Sequence, residues 1–236
     1  MRKQRLIKED FFIANMVKSL KIAGIFGIIL LTLTLITFAV VFITIYSGGT
    51  VYDILPKAGV FNIFTIFHLI IPIVSIGFMY GFIALAKRFN NKMLLLTSRF
   101  IIIFIALSFF ANLLFIIGAG DFFATPKIEV DSFLQQALFN IFSKIPFFVL
   151  ALNLFGLRVF WPFLILFFIV GFFLQLVFAI GLIKLKNKGV PFANWSGWGE
   201  IIRMASENIR PIVIILEIIM FFKASKRFEQ NSQTGY

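Results

Sequence analysis

Residues 22–46 form a run of about 25 amino acids without one charged side chain. Nothing else in the chain constrains the fold as strongly. About 20 consecutive apolar residues in a helix cross the hydrocarbon of a bilayer. In lipid the backbone must satisfy its own hydrogen bonds, so such a run is an α-helix. Similar runs cover residues 60–86, 100–120 and 159–183. The expected fold is an all-α integral membrane protein, a helical bundle of about four transmembrane helices with interfacial amphipathic helices beside them.

Two stretches leave the number of crossings open between four and six. Residues 132–155 are apolar but interrupted by Gln135, Gln136, Asn140, Lys144, Pro146 and Asn153. Residues 209–222 are short for a crossing and contain Glu217. Charge favours four. With the N-terminus inside and neither stretch crossing, only Lys57, Lys127, Lys144 and Arg158 of the 22 Lys and Arg lie outside. If both cross, Lys184, Lys186 and Lys188 move outside, against the positive-inside rule. On that count residues 132–155 are re-entrant or interfacial and the last run docks on the surface. The expected location is the plasma membrane, with the N-terminus cytoplasmic.

The ends read differently from the middle. Residues 1–21 form a basic segment with apolar residues at helical spacing, suited to the membrane surface. The apolar run after it is too long for a secretory signal, whose core is about 7–15 residues, so it is read as a retained anchor. Residues 22–183 are the transmembrane bundle. Residues 184–236 hold an amphipathic helix, the short apolar segment and a polar tail. In that helix Trp198, Ile201, Ile202, Ala205 and Ile209 share one face, with Glu200, Arg203, Glu207 and Arg210 opposite. Ser196 is a candidate cap for its start. Trp161, Trp195 and Trp198 are candidate interfacial anchors.

Composition removes several function classes. The formal charge of +12 accompanies cations clustered beside apolar runs. That pattern fits anionic lipid headgroups better than nucleic acid. With no cysteine and a single histidine, thiolate chemistry, Cys-ligated zinc and iron–sulfur clusters are excluded. There is no phosphate loop, no His-Glu-x-x-His site and no nucleophile elbow. No cofactor or metal is expected, and no enzymatic activity.

The chemistry that remains centres on His68. Pro72 lacks an N–H and clashes with the carbonyl four residues back, which is that of His68. The freed acceptor costs several kcal/mol in lipid unless it is satisfied, so this spot is expected to face protein or water. Ser75 lies on the same face, and Asn112 and Gln175 in other spans are candidates to meet it. The plainer reading is a hydrogen-bond network that holds the bundle together. The sharper one is a ligand or proton site, since ionisable groups inside a membrane are rare and functional.

Gly77 and Gly81 form a Gly-x-x-x-Gly pair, and Ala23 and Gly27 offer a similar small surface; both suit close helix packing, within the chain or between copies. A faint internal echo links "GFIALAKR" (81–88) with "GLIKLKNK" (181–188).

The segments "SLKIAGIFGIILL" (19–31), "SIGFMYGFIALAKRFNNKMLL" (75–95) and "ILEIIMFFKASK" (215–226) resemble small archaeal membrane proteins grouped as domain of unknown function 996. The resemblance covers about half of the chain and omits the region from 121 to 194. It implies a membrane fold and no site residues. Two functional expectations follow from all of this. One is a non-catalytic scaffold, assembly factor or accessory subunit of a membrane complex, alone or as a homo-oligomer. The alternative is a small transporter or channel with a polar site around His68, Asn112 and Gln175.

Overall fold

Helix dominates the chain because its apolar runs admit no other way of satisfying the backbone. A computed structural model describes residues 2–47, 63–116, 165–166 and 169–233. Helix α1 spans Arg2–Tyr46, α2 Ile63–Arg88 and α3 Lys92–Ile116. Helix α4 covers Ile169–Lys186, α5 Ala193–Ala205 and α6 Arg210–Gln233, with a 3-10 turn at Glu207–Ile209 between the last two. No strand occurs among the described residues. Four helical stretches are long and apolar enough to cross a membrane: Ile13–Thr44, Leu69–Arg88, Lys92–Leu113 and Ile169–Lys186. The fold is an all-α helical bundle of the membrane class. Residues 132–155, the extra-span candidate, lie outside the described residues, as does Trp161.

The basic N-terminal segment and the first apolar run belong to one unbroken helix of 45 residues. No Gly-Pro punctuation separates them, so nothing in the sequence forces a break at residue 21.

Two compact units divide the chain. The first comprises Met1–Ile36, Val74–Ile103 and Gly171–Tyr236. Its helices approach closely where side chains are absent. A Cβ at Gly81 would sit 2.5 Å from the Ala23 Cβ, and one at Gly77 would sit 2.6 Å from the Phe26 ring. Gly27 admits Phe78 and Ile218 in the same way, and Gly24 admits the Phe222 ring. Thus the two small-residue surfaces expected from the sequence meet each other, and α6 joins them. Phe78, Phe82, Phe178 and Phe221 fill the interior. Their rings meet edge to face, the Phe82 and Phe221 centroids being 4.8 Å apart and those of Phe82 and Phe178 5.0 Å. Such pairs add about 0.5–1.5 kcal/mol beyond area burial.

The expected surface-docked status of residues 209–222 does not describe α6. Val213, Ile214, Ile218, Met220, Phe221 and Ala224 are buried, so α6 is a core element of this unit.

The turns show how α2 and α4 stop. Asn90 takes a left-handed φ of 49°, which lets the Asn91 N–H reach Ala86 O (2.8 Å) and the Asn90 N–H reach Lys87 O (3.4 Å). Gly189, with φ 76°, closes α4 by the same pair of bonds: Val190 N–H to Leu185 O and Gly189 N–H to Lys186 O. This is the two-bond closure with a left-handed residue after the helix. Asn91 then caps α3, its Oδ1 accepting from the Leu94 N–H, while its Nδ2 donates to Gly181 O at 2.8 Å.

The second unit comprises Thr37–Ile73 and Phe104–Val170. Within it α2 continues through Pro72, which is half-buried. Ala111 is buried and Asn112 half-buried.

Candidate functional site

The polar groups that the structure assembles lie on α4, α5 and α6. Helix α5 begins after Phe192, which has a left-handed φ of 63° and provides no side-chain cap. Ser196, the expected cap, sits a turn inside the helix instead, fully buried and with no hydrogen-bond partner on its Oγ. Ala193, Ser196, Gly197, Gly199 and Glu200 are the buried residues of α5. A Cβ at Gly197 would meet Ile183 Cγ1 at 2.5 Å and the Ala179 carbonyl oxygen at 2.7 Å. A Cβ at Gly199 would meet Val213 at 3.1 Å. Small residues therefore let α5 lie directly on α4 and α6.

This packing reverses the expected use of the amphipathic face. Trp195 and Trp198, 65% and 50% exposed, point out of the protein together with Ile202, whereas Glu200 is only 5% exposed. The polar side is turned to the interior because partners wait for it there. Glu200 Oε2 accepts from Arg203 at Nη2 (2.9 Å) and Nε (3.1 Å), and from Gln175 Nε2 (3.3 Å). Gln175 lies 11 residues before Lys186, about 16 Å along the helix at 1.5 Å per residue. Glu200 thus engages the middle of an apolar helix.

Glu217 on α6 completes the cluster. It is 3% exposed. Its carboxyl is held well above the usual carboxylate range, first by burial and then by the Glu200 charge; Arg203 and Arg210 pull the other way, and a hydrogen bond to Glu200 adds to the rise. Two buried carboxylates facing each other cannot both ionise without large cost. Burial therefore favours the protonated form of Glu217 beside the Glu200–Arg203 ion pair. The nearest cations to it along α6 are Lys223 and Arg210. Only the last acts on it; Lys223 instead lies over the Phe192 ring, 4.5 Å from its centroid.

Both ends of the α5–α6 segment are tied to one place. Lys223 covers Phe192, and Arg227 Nη1 donates to Gly189 O. Lys21 pairs with Glu229 at 2.5 Å. The two helices make a hairpin that leaves from the end of α4 and returns to it, with the turn at Ser206–Ile209.

Of the five residues of the candidate site, His68, Pro72, Ser75, Asn112 and Gln175, it is Gln175 that is found in this cluster. Gln175 and Ser75 belong to the first unit, and His68, Pro72 and Asn112 to the second. The His68 side chain lies outside the described residues. No group of three or more metal-ligating side chains occurs among the described residues. What sequence reasoning missed is Glu200. Its spacing to Arg203 (i, i+3) is legible, but the same spacing suits a solvated face.

The structure therefore defines an α-helical membrane-class bundle with an internal carboxyl pair at the base of a hairpin. No protein family, no characterised protein and no solved structure matches the chain.

Proposed function

We propose that the chain is a non-catalytic multi-pass membrane protein that serves as a scaffold, assembly factor or accessory subunit of a larger membrane complex. The observation that carries this reading is the direction of α5. Its charged side is spent on internal pairing with Gln175, Arg203 and Glu217, and its two tryptophans and Ile202 face outward. Tryptophan is the side chain most enriched at the energetic centres of interfaces. The phenylalanine core around Phe82 supports the same reading, since it fills the interior with rings rather than water-sized polar space. In this reading the protein sits in the plasma membrane with its N-terminus cytoplasmic, and the basic ends of α2 and α4 meet anionic headgroups. A relationship to the archaeal domain of unknown function 996 belongs to the same proposal.

The test is a photo-reactive amino acid at position 198 in native membranes. Discrete protein adducts that disappear when the probe moves to the inward position 196 would support a partner-docking role. Lipid adducts alone at position 198 would overturn it.

One observation favours the transporter reading. Gln175 lies in an apolar helix and donates to Glu200, which neighbours Glu217, and ionisable groups inside membranes serve proton or ion pathways. A single cysteine at position 68 separates the two readings. Rapid labelling by an impermeant reagent in intact membranes supports a hydrated path; protection, with a denatured control that labels, supports the scaffold.

A further inference from the structure

A second feature of the first unit borders the glycine face of α2. A groove of about 240 Å³ runs along the seam of α1 and α2, lined by Asn15, Met16, Ser19, Tyr80, Ile83 and Lys87 with Ala84 between them. The two helices are antiparallel here, since Ala23 faces Gly81 and Phe26 faces Gly77. Following that register, Asn15 and Lys87 share one end of the groove and Tyr80 lies toward the other. Tyr80 and Lys87 are seven residues apart, about 10 Å along the helix.

The two ends differ in chemistry. At the Lys87 end the groove offers an ammonium and the Asn15 carboxamide, both exposed, while the Ser19 hydroxyl donates back to Asn15 O. Toward Tyr80 the lining is apolar, with Ile83 buried beneath, and buried Met16 floors the Lys87 end. Lys87 and Arg88 occupy the last turn of α2, and exposed Lys18 lies on α1 one turn before Ile22. The helix end itself carries roughly half a negative charge, which two full positive charges exceed. The mouth is cationic and the floor is greasy.

We propose that this groove binds one acidic phospholipid, its phosphate at Lys87 and Asn15 and an acyl chain along Tyr80 and Ile83. Charge complementarity selects the anionic headgroup, and the α2 end at Arg88, where the apolar helix gives way to the polar turn, is the depth at which a headgroup sits. The inference rests on the membrane-spanning part of the proposed function and is independent of the scaffold role.

The experiment uses the full chain reconstituted in phosphatidylcholine vesicles, with trace spin-labelled phosphatidylglycerol or phosphatidylcholine as probes. The fraction of motionally restricted probe gives each lipid's relative association. The acidic lipid is expected to associate several-fold more strongly. Lys87→Gln should reduce that preference about fivefold, the value of one cation near the surface. Lys188→Gln, an exposed cation in the turn after α4 and outside the groove, should reduce it much less. Ala84→Trp, which fills the floor without altering charge, should also reduce it. If Ala84→Trp fails to fold, the Lys87→Gln comparison still decides. Equal association of the two lipids, or equal losses for Lys87→Gln and Lys188→Gln, would overturn the site. Restricted phosphatidylcholine without any acidic preference would do so while leaving membrane insertion intact. No restricted component for either lipid would overturn insertion and the site together.

Discussion

The Glu200 and Glu217 carboxyl groups act on each other across the α5–α6 hairpin, both almost fully buried. Burial and the neighbouring Glu200 charge favour the protonated form of Glu217. Its folded-state pKa is raised, so the folded protein binds a proton that the unfolded chain releases at lower pH. The sign follows from linkage. Stability is fully present below the ordinary glutamate range and falls as pH rises through the raised value of Glu217. Thermal melting in detergent should therefore move to lower temperature as the pH is raised. Glu217→Gln keeps a donor to Glu200 without the titration, and should flatten that dependence and melt higher than the parent at alkaline pH. A parent whose melting temperature does not fall with rising pH would contradict the raised Glu217.

Removing the other carboxyl has the opposite effect. Glu200→Ala deprives the largely buried Arg203 of the carboxylate acceptor at 2.9 Å, one of its partners. Breaking one side of a buried pair costs about 3–5 kcal/mol. The loss should appear in both folded yield and melting temperature. Glu200→Gln, which retains an acceptor, should cost less. Equal behaviour of the two variants would mean that the ion pair is not the cause.

Glycine substitutions separate packing from propensity. At Gly81 a Cβ would lie 2.5 Å from Ala23 Cβ, whereas at Gly171 nothing lies within 4 Å. Overpacking costs about 1–3 kcal/mol, and alanine favours a helix over glycine by about 0.8–1.0 kcal/mol. Gly81→Ala should therefore destabilise and Gly171→Ala should be neutral or stabilising. Thermal melts of both variants in one detergent make the comparison, and a destabilised Gly171→Ala would show that the exposed side of α4 at Gly171 is covered.

Much of this fold was legible because lipid imposes it. Runs such as residues 22–46 can only be helices, and glycines four apart such as Gly77 and Gly81 can only help two helices approach. Even the faint echo between residues 81–88 and 181–188 has a counterpart, since α2 and α4 end in the same two-bond closure at Asn90 and Gly189. The polar cluster was not legible. An amphipathic pattern states that two faces differ; it does not state which face meets water. Glu200 looked solvated because no sequence signal pairs it with Gln175, 25 residues away, or with Glu217. The same gap hid α6. Glu217 shortens its apolar run on a hydropathy count, but a protonated, hydrogen-bonded carboxyl costs far less to bury than an ion.

Ser196 distinguishes the two readings of α5 directly. As a helix cap, its loss would cost about 1 kcal/mol. As a buried hydroxyl without a partner, its replacement by alanine removes an unsatisfied group, so Ser196→Ala should be neutral or stabilising. Gly197→Leu is the complementary change. The nearest atoms include the Ala179 carbonyl oxygen at 2.7 Å, and backbone cannot swing aside as a side chain can. It should expel α5 from α4. Fluorescence of Trp195 and Trp198 in a Trp161→Phe background, quenched by brominated lipids, should be unchanged in Ser196→Ala and altered in Gly197→Leu. The reverse ranking would show that α5 is not seated on its small-residue face.

The hairpin makes a topological prediction that a sixth crossing would reverse. Phe192 at the start of α5 and Lys223 within α6 are in contact, and Arg227 holds the carbonyl of Gly189 at the close of α4. Two points in contact are on one side of a membrane. Reporter fusions after Lys188 and after Gln233 should therefore give the same side, and a fusion after Arg88 should agree with them, since α2 and α4 run the same way between two turns of the same kind. With Lys87, Arg88, Lys184, Lys186 and Lys188 all at these ends, that side should be the cytoplasm. Opposite reports at Lys188 and Gln233 would mean that α6 crosses and that the contacts with Phe192 and Gly189 do not form in the membrane.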